Sequence, residues 1–433
     1  MLTLRPYQQE CKEIIDNLPA GSYLAQMATG LGKCFAAGTK ILMYDGSIKV
    51  VEDIHEGDAV MGPDSLPRYV SGLAHGQEMM YEVQPIKGDP YIVNESHILS
   101  LKITNTGRKR VSDGRGNMFC AGDVCNISVR DYLKTSSTFK HVAKGWRASV
   151  DFAKKSVLLP PYILGVWLGD GATKNPYITT MEPEIVRELH RYASQNGMAV
   201  KVSSSENTGK AITYSIVGVK NGYGCNPFRN ALSSYDLNSG KHIPHDYLYN
   251  DRECRLELLA GLMDSDGYLT DGSVFEIATV RREMAGGILY LARSLGFAAY
   301  CSEKKVSGVV YYRINISGDT HLIPTRVERR KASERKQKKD VLMTGIFVSP
   351  IGVGEYYGFE LMGPDRLFLL GDFTVAHNTV TFASIDRPGR MLILSHREEL
   401  VRQPLKYFDC PTGVEMAGES APPSAEVVSA SVQ

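Results

Sequence analysis

The stretch MATGLGKC, Met27–Cys34, is a glycine-rich loop that reaches its lysine and then lacks the residue that should follow. In a phosphate-binding loop, backbone N–H groups such as those around Gly30 and Gly32 cradle phosphates, and Lys33 reaches the outer ones. The hydroxyl of a following Ser or Thr ligates Mg²⁺. Cys34 stands in that place, and a thiol is a poor ligand for so hard a cation. The hydroxyl lies far away. In LFLLGDFTVAHNTVTFASI, Leu367–Ile385, apolar alternation through Phe373 and Val375 predicts a strand running into His377, Asn378 and Thr379. Joining Thr379 directly behind Lys33 gives MATGLGKTVTFASI, a complete loop with the apolar helix that it needs. Two ends that complete one motif make residues 34–378 a body inserted into another fold.

Composition agrees with several bodies in one chain. A length of 433 residues allows roughly three domains at about 150 residues each. A hydrophobic content of 43% and a charged content of 22% belong to a globular chain, not a disordered one. The net charge of +1 points to no partner. No apolar run is long enough for a bilayer, and MLTLRPYQQECKEIIDNLP lacks the charged-then-apolar pattern of a signal peptide. A cytoplasmic protein with no membrane partner is therefore expected, and a monomer. The eight cysteines are scattered, without the paired spacing of a zinc site.

The ends of the insert resemble the splicing blocks of inteins. CFAAGTKILMYDGSIKVVEDIHEGDAV, Cys34–Val60, is similar to the first block. NESHILSL, around His97, is similar to the second, and TVAHN, Thr374–Asn378, to the last. The resemblance implies an all-β splicing domain of the Hedgehog/intein fold, built from residues 34–155 and 341–378. It also implies a reaction that needs no cofactor. Peptide rearrangement requires a nucleophile beside the bond, groups that stabilise charge, and an irreversible last step. In that scheme the Cys34 thiolate attacks the Lys33 carbonyl and His97 protonates the departing nitrogen. The Thr379 hydroxyl then takes the acyl group, and Asn378 cyclises with His377 polarising the scissile carbonyl. Glu360, Asp365 and Arg366 stand where the family often carries an Asp or Cys and a His, so their part in the reaction is open.

Between these blocks lies an internal repeat, YILGVWLGDGAT at Tyr162–Thr173 and LLAGLMDSDGYL at Leu258–Leu269. Each reads as an apolar helix with a small-residue face ending in Asp-Gly. Close packing through Gly165, Ala260 and Gly261 would set Asp170 and Asp266 side by side. Two neighbouring carboxylates repel unless a cation joins them, and hard oxygen ligands suit Mg²⁺. The pair resembles the motif of the LAGLIDADG homing endonucleases, as does KHIPHDYL before the second helix. That resemblance implies a nested α+β endonuclease over residues 156–340 that cuts double-stranded DNA. Asp170 and Asp266 would be both catalytic and metal-holding, one per strand, with Asp264 outside the chemistry. AITYSIVGV and VVYYRINIS read as strands of the DNA saddle. The basic run TRVERRKASERKQKKD, Thr325–Asp340, either follows phosphate backbone or is a solvated linker. Lys304 and Lys305 are candidate auxiliary lysines.

Residues 1–33 and 379–433, once joined, resemble the start of a superfamily 2 (DEAD/DEAH-like) helicase, an α/β P-loop domain. LRPYQQE, the repaired loop and RMLILSHREELVRQ carry the likeness. It implies ATP and Mg²⁺ held by Gly30, Gly32, Lys33 and Thr379 after splicing, and nucleic acid as partner. No acidic Asp-Glu motif follows, so ATP hydrolysis by these segments alone is not expected. The whole reads as a multidomain, self-splicing precursor with an embedded endonuclease. The alternative is a P-loop ATPase or helicase fragment with a non-splicing, DNA-binding insertion. Cys34 and Asn378 favour splicing, because a static insertion needs neither.

Overall fold

The structure, a computed structural model, describes residues 34–104, 110–173, 175–203, 211–218, 226–336, 339–362, 365–378, 391–395, 410–416 and 418–431. Gly30, Gly32, Lys33 and Thr379 lie outside the described residues. The chain divides into two units, Met1–Gly32 with Thr379–Gln433, and Lys33–Asn378.

The larger unit opens with short strands β1 (Lys40–Leu42), β2 (Ile48–Val50) and β3 (Ala59–Met61). The 19-residue β4 (Pro67–Pro85) follows, then β5 (Tyr91–Asn94), β6 (Ile98–Ile103), β7 (Val124–Ser128) and β8 (Ala143–Trp146). Alternate residues of β4 are buried over much of its length, the period of a strand with one covered face. Phe35, Ile41, Val60, Leu99 and Phe139 fill the core beneath it.

The chain then enters the repeat. Helix α1 (Pro161–Asp170) begins on a Pro at its first turn, where a missing N–H costs nothing. Strand β9 (Tyr177–Thr180), helix α2 (Pro183–Gln195) and strands β10 (Met198–Ser203) and β11 (Ile212–Gly218) complete the first half, with sheet order β9-β11-β10. Helix α3 (Arg252–Ser265) is capped by Asp251, whose side chain accepts the Cys254 N–H at 2.9 Å. The second half continues through β12 (Tyr268–Thr270), β13 (Val274–Thr279), α4 (Arg282–Ser294), β14 (Ala298–Val306) and β15 (Val309–Ser317), with order β12-β13-β15-β14. Helix α1 is apolar nearly all round, α3 is so over Leu258–Met263, and the two pack against each other at the centre of a second core.

The chain returns through β16 (Met343–Thr344) and β17 (Ile346–Leu361), which pairs antiparallel with β4 along nearly its full length. One sheet therefore joins segments separated by the whole endonuclease-like repeat. The last pair is a hairpin, β18 (Leu367–Leu369) and β19 (Val375–His377). The sequence predicts Phe373 within a strand, but the structure puts it in the turn of this hairpin, fully buried at φ +70°. Its alternation with Val375 reflects burial against the second core, not strand geometry.

The smaller unit shows a three-stranded parallel sheet, β20 (Met391–Ser395), β21 (Thr412–Glu415) and β22 (Val427–Ser431), in the order β20-β22-β21. No helix among the described residues is long and apolar enough to cross a membrane.

Candidate active site

Cys34 is fully buried, and both of its backbone polar groups engage one residue. Its N–H donates to Asn94 Oδ1 at 3.1 Å, and its carbonyl accepts the Asn94 N–H at 3.1 Å. Asn94 Nδ2 donates to Glu78 Oε2 at 2.6 Å, and Ser96 Oγ donates to Glu78 Oε1 at 3.1 Å. Only one orientation of the Asn94 amide satisfies an N–H and a carboxylate at once, so the carboxylate fixes which atom faces Cys34. The segment NESH is a turn between β5 and β6, closed by His97 N–H to Asn94 O at 3.0 Å. His97 is buried, and its ring meets Phe35 edge-on at 4.6 Å. Phe35 is pinned to β17 by reciprocal bonds with Tyr357 at 2.8 and 2.7 Å.

The far end arrives at the same place. Phe368 of β18 meets the Phe35 ring at 5.9 Å, and its cross-strand partner is Ala376, beside His377. His377 pairs with Leu367 and is half-buried. Asn378 is buried, and its N–H donates to Arg366 O at 3.0 Å. Of the three residues left open by the sequence, Asp365 is a tether: Arg68 grips it bidentately at 3.0 and 2.9 Å and also holds Asp64 at 2.9 Å. Burial pushes the Glu360 carboxyl up, with Arg366 opposing.

The second cluster forms where α1 and α3 end. A Cβ on Gly165 would lie 2.3 Å from Leu258 O, and one on Gly261 would lie 2.2 Å from Tyr162 O. Glycine at both positions is what lets the backbones touch and brings Asp170 and Asp266 to one spot. Burial, then the neighbouring Asp266, pushes the Asp170 carboxyl up to about 6. Asp266 is raised by burial against the pull of Lys241 and Arg330. Asp264 accepts from Tyr162 Oη at 2.8 Å and from the N–H groups of Arg326 and Val327 at 2.6 and 3.3 Å, a structural role. Among the described residues no group of three or more His, Cys, Asp and Glu converges on a metal site, so the oxygen donors here are the two carboxylates.

Lys241 is the lysine at this cluster, in place of Lys304 and Lys305. Its Nζ donates to Gly169 O at 2.8 Å and lies 5.4 Å from the centre of the Trp167 ring. Burial brings its ammonium down to about 8, against the pull of Asp266 and Asp170. Lys304 and Lys305 lie exposed on β14, an edge strand. The basic run also divides. Arg326 engages Glu257 at 2.7 Å, Arg329 pairs with Glu182, and Arg330 Nη1 donates to Met263 O and Ser265 O at 3.0 and 2.7 Å. Arg326 and Arg330 hold α3 in place and Arg329 ties the segment to the start of α2, while Lys331 and Glu334 beyond them are exposed; Gln337 and Lys338 lie outside the described residues. Asn94 and Lys241 are the residues that sequence reasoning missed. Asn94 was marked only by standing three residues before His97, and Lys241 only by the KHIP segment.

Residues 34–150 match the family model described as Hom_end-associated Hint, and residues 242–344 match that described as Homing endonuclease. The chain carries an intein Hint domain and a homing endonuclease domain. It is similar to the replicative DNA helicase DnaB of Mycobacterium intracellulare, 26% identical over 64% of this chain and 45% of the relative. It is also similar to the homothallic switching endonuclease of Saccharomyces cerevisiae, 28% identical over 39% of this chain and 34% of that protein. The chain spans less than half the length of either curated relative. Among solved structures, the homing endonuclease I-DmoI in complex with DNA and Mn is 15% identical with a TM-score of 0.26, covering 36% of this chain and 88% of that one.

Proposed function

We propose that the chain excises residues 34–378, joins Lys33 to Thr379, and carries in the excised segment an endonuclease that cuts both strands of a DNA site. The observation that carries the splicing half is the convergence on Phe35. His97 lies against one part of its ring, Phe368 of the terminal hairpin against another, and Cys34 precedes it in the chain. The division of the chain falls one residue before the first of these junctions, at Gly32/Lys33, and at the second, Asn378/Thr379, which supports the reading.

The Cys34 thiolate forms a C–S bond to the Lys33 carbonyl as the C–N bond breaks, and the nitrogen, held by Asn94, takes a proton from His97. The Thr379 hydroxyl displaces the thiol from the thioester. Asn378 Nδ2 then closes on its own carbonyl, breaking the bond to Thr379 and leaving a succinimide on the insert. The released Thr379 amine takes the acyl group from its own oxygen, which restores an amide. No step requires a metal.

In the endonuclease, two neighbouring carboxylates, with Asp266 pushing the proton affinity of Asp170 upward, are a fitting pair for a divalent cation, and Asp170 and Asp266 would hold Mg²⁺. When bound, the ion supplies charge stabilisation at the scissile phosphates and a more acidic water. Lys241 keeps a proton beside both carboxylates, and Arg330 fixes the end of α3 that presents Asp266. The flanks, read as a superfamily 2 helicase fragment, would regain with Thr379 an ATP-binding loop through Gly30, Gly32 and Lys33. Refolding the full chain without cofactors tests the reading. Mass spectrometry should find the joined flanks and the 34–378 insert, and EDTA should abolish DNA cleavage while leaving splicing untouched. An intact mass unchanged after long incubation overturns it.

A further inference from the structure

The hairpin that ends in Asn378 belongs to two cores at once. Phe368, Leu370 and Ala376 pack with the splicing core, whereas Leu369, Phe373 and Val375 pack in the cluster built around α1, α3 and α4. Phe373 holds a left-handed backbone at φ +70°, a conformation that a bulky residue keeps only where its surroundings enforce it. Those surroundings come from the endonuclease and from the end of the first splicing segment. The Tyr290 ring of α4 meets Phe373 edge-on at 5.1 Å, while Tyr290 Oη donates to Gly46 O of the splicing domain at 2.9 Å. Just after β8, in the splicing segment, Ala148 N–H donates to Phe373 O at 3.2 Å, and Arg147 pairs with Asp372 at 2.8 Å.

We propose that Tyr290, an endonuclease residue, is a positioning residue for the release step at Asn378, acting by clamping Phe373 and so the register of β19. The inference rests on the splicing reading above. A strand cannot stretch, and β19 runs from just beyond Phe373 to the residue before Asn378. Loosening the turn therefore moves the Asn378 amide relative to the carbonyl it attacks. Cys34 is fixed separately, by Asn94 and through Phe35 by Tyr357, so the effect is confined to one end. Splicing chemistry and DNA-cutting chemistry are thus separate in their reacting groups and joined in their packing.

The full chain tests this in two backgrounds that isolate the ends. With Cys34→Ala only the Asn378 end reacts, read as release of residues 379–433. With Asn378→Ala only the Cys34 end reacts, read as release of residues 1–33 by dithiothreitol. Tyr290→Leu should slow the first about tenfold, since small misplacements of reacting atoms are that costly, and leave the second within about twofold. Tyr290→Phe, which keeps the ring and loses the hydroxyl, should have a smaller effect in the same direction. Arg147→Lys loosens the same turn without touching the ring and should also slow only the Asn378 end. Equal slowing of both ends, or an unchanged release of 379–433, overturns the proposal. Parent backgrounds in which neither end reacts remove the splicing reading itself, and the proposal with it.

Discussion

The backbone N–H of Cys34 donates to Asn94 Oδ1 at 3.1 Å, so the nitrogen that leaves in the first step of the proposed splicing reaction is already held by a side chain. The Glu78 carboxylate on Asn94 Nδ2 keeps that side chain from turning. Asn94→Ala should slow thiol-induced cleavage before Cys34 by about 10- to 100-fold through lost orientation. His97→Ala, which removes the proton donor, should cost about 10²- to 10⁴-fold. Glu78→Gln should fall between wild type and Asn94→Ala, because an amide can still accept from Nδ2. Rates of thioester capture by dithiothreitol measure all three, and an Asn94→Ala rate equal to wild type would remove Asn94 from the site.

The order of these elements was legible because their signals are local. The α1 and α3 windows have a long apolar run, carry glycine where backbones meet, and lead into Asp-Gly, so helix, packing face and carboxylate could each be read from a dozen residues. Asn94 was not legible, because its function comes from a turn and from Glu78, which β4 delivers from a separate strand. Lys304 and Lys305 attracted notice as adjacent charges, yet charge alone does not tell an edge strand from a cleft. Lys241 gains its place from the long connection that carries it to the end of α1. In the basic run, Arg326 and Arg330 look like their neighbours in sequence and differ in having the Glu257 carboxylate and the carbonyls at the end of α3 within reach.

Glycine contacts decide a second prediction. Ala at Gly261 gains about 1 kcal/mol of helix propensity, but its Cβ would lie 2.2 Å from Tyr162 O and 3.0 Å from Gly165 Cα. Backbone cannot yield as a side-chain tip does, so overpacking of about 1–3 kcal/mol or more wins. Gly261→Ala should lower the thermal midpoint and abolish DNA cleavage. Gly286→Ala, in α4 with nothing within 4 Å of the added Cβ, should raise the midpoint. A Gly261→Ala protein as stable as wild type would contradict the helix contact.

Asp372 supplies a pH-dependent test of the clamp on this turn. Burial raises its carboxyl, but Arg147 and Arg293 outweigh that and hold it below its ordinary value. A carboxylate whose folded pKa is depressed contributes stability above its unfolded pKa, about 3.9, and loses it as pH falls through the folded value. Side-chain exposures of 5% for Arg147 and 14% for Asp372 make the pair a buried one. Asp372→Asn should therefore cost about 3 kcal/mol near neutral pH, and its gap to wild type should close in acid below the unfolded value. Thermal midpoints across that range decide it, and a gap independent of pH would mean the charge is not the source.

Lys241 and the pair Lys304 and Lys305 make opposite predictions about DNA cleavage. The Lys241 Nζ bonds the carbonyl of Gly169, the residue before Asp170, and its charge is felt by both Asp170 and Asp266. It therefore fixes one carboxylate and keeps a proton where charge develops on the departing oxygen. Lys241→Met should lower the single-turnover cleavage rate by about 10²-fold or more while leaving DNA affinity nearly intact. Lys241→Arg should recover little, since a planar guanidinium cannot replace a compact ammonium in a half-buried position beside Trp167. Lys304 and Lys305 are solvated, so their reach extends only to phosphate backbone. Lys304→Ala and Lys305→Ala should weaken binding, each reducing the salt slope by about 1, with the single-turnover rate at saturating protein unchanged. The measurement is cleavage at saturating enzyme alongside binding across a salt series. If Lys304→Ala or Lys305→Ala lowered the saturated rate as far as Lys241→Met, the chemistry would belong to the exposed strand and the assignment of Lys241 would fail.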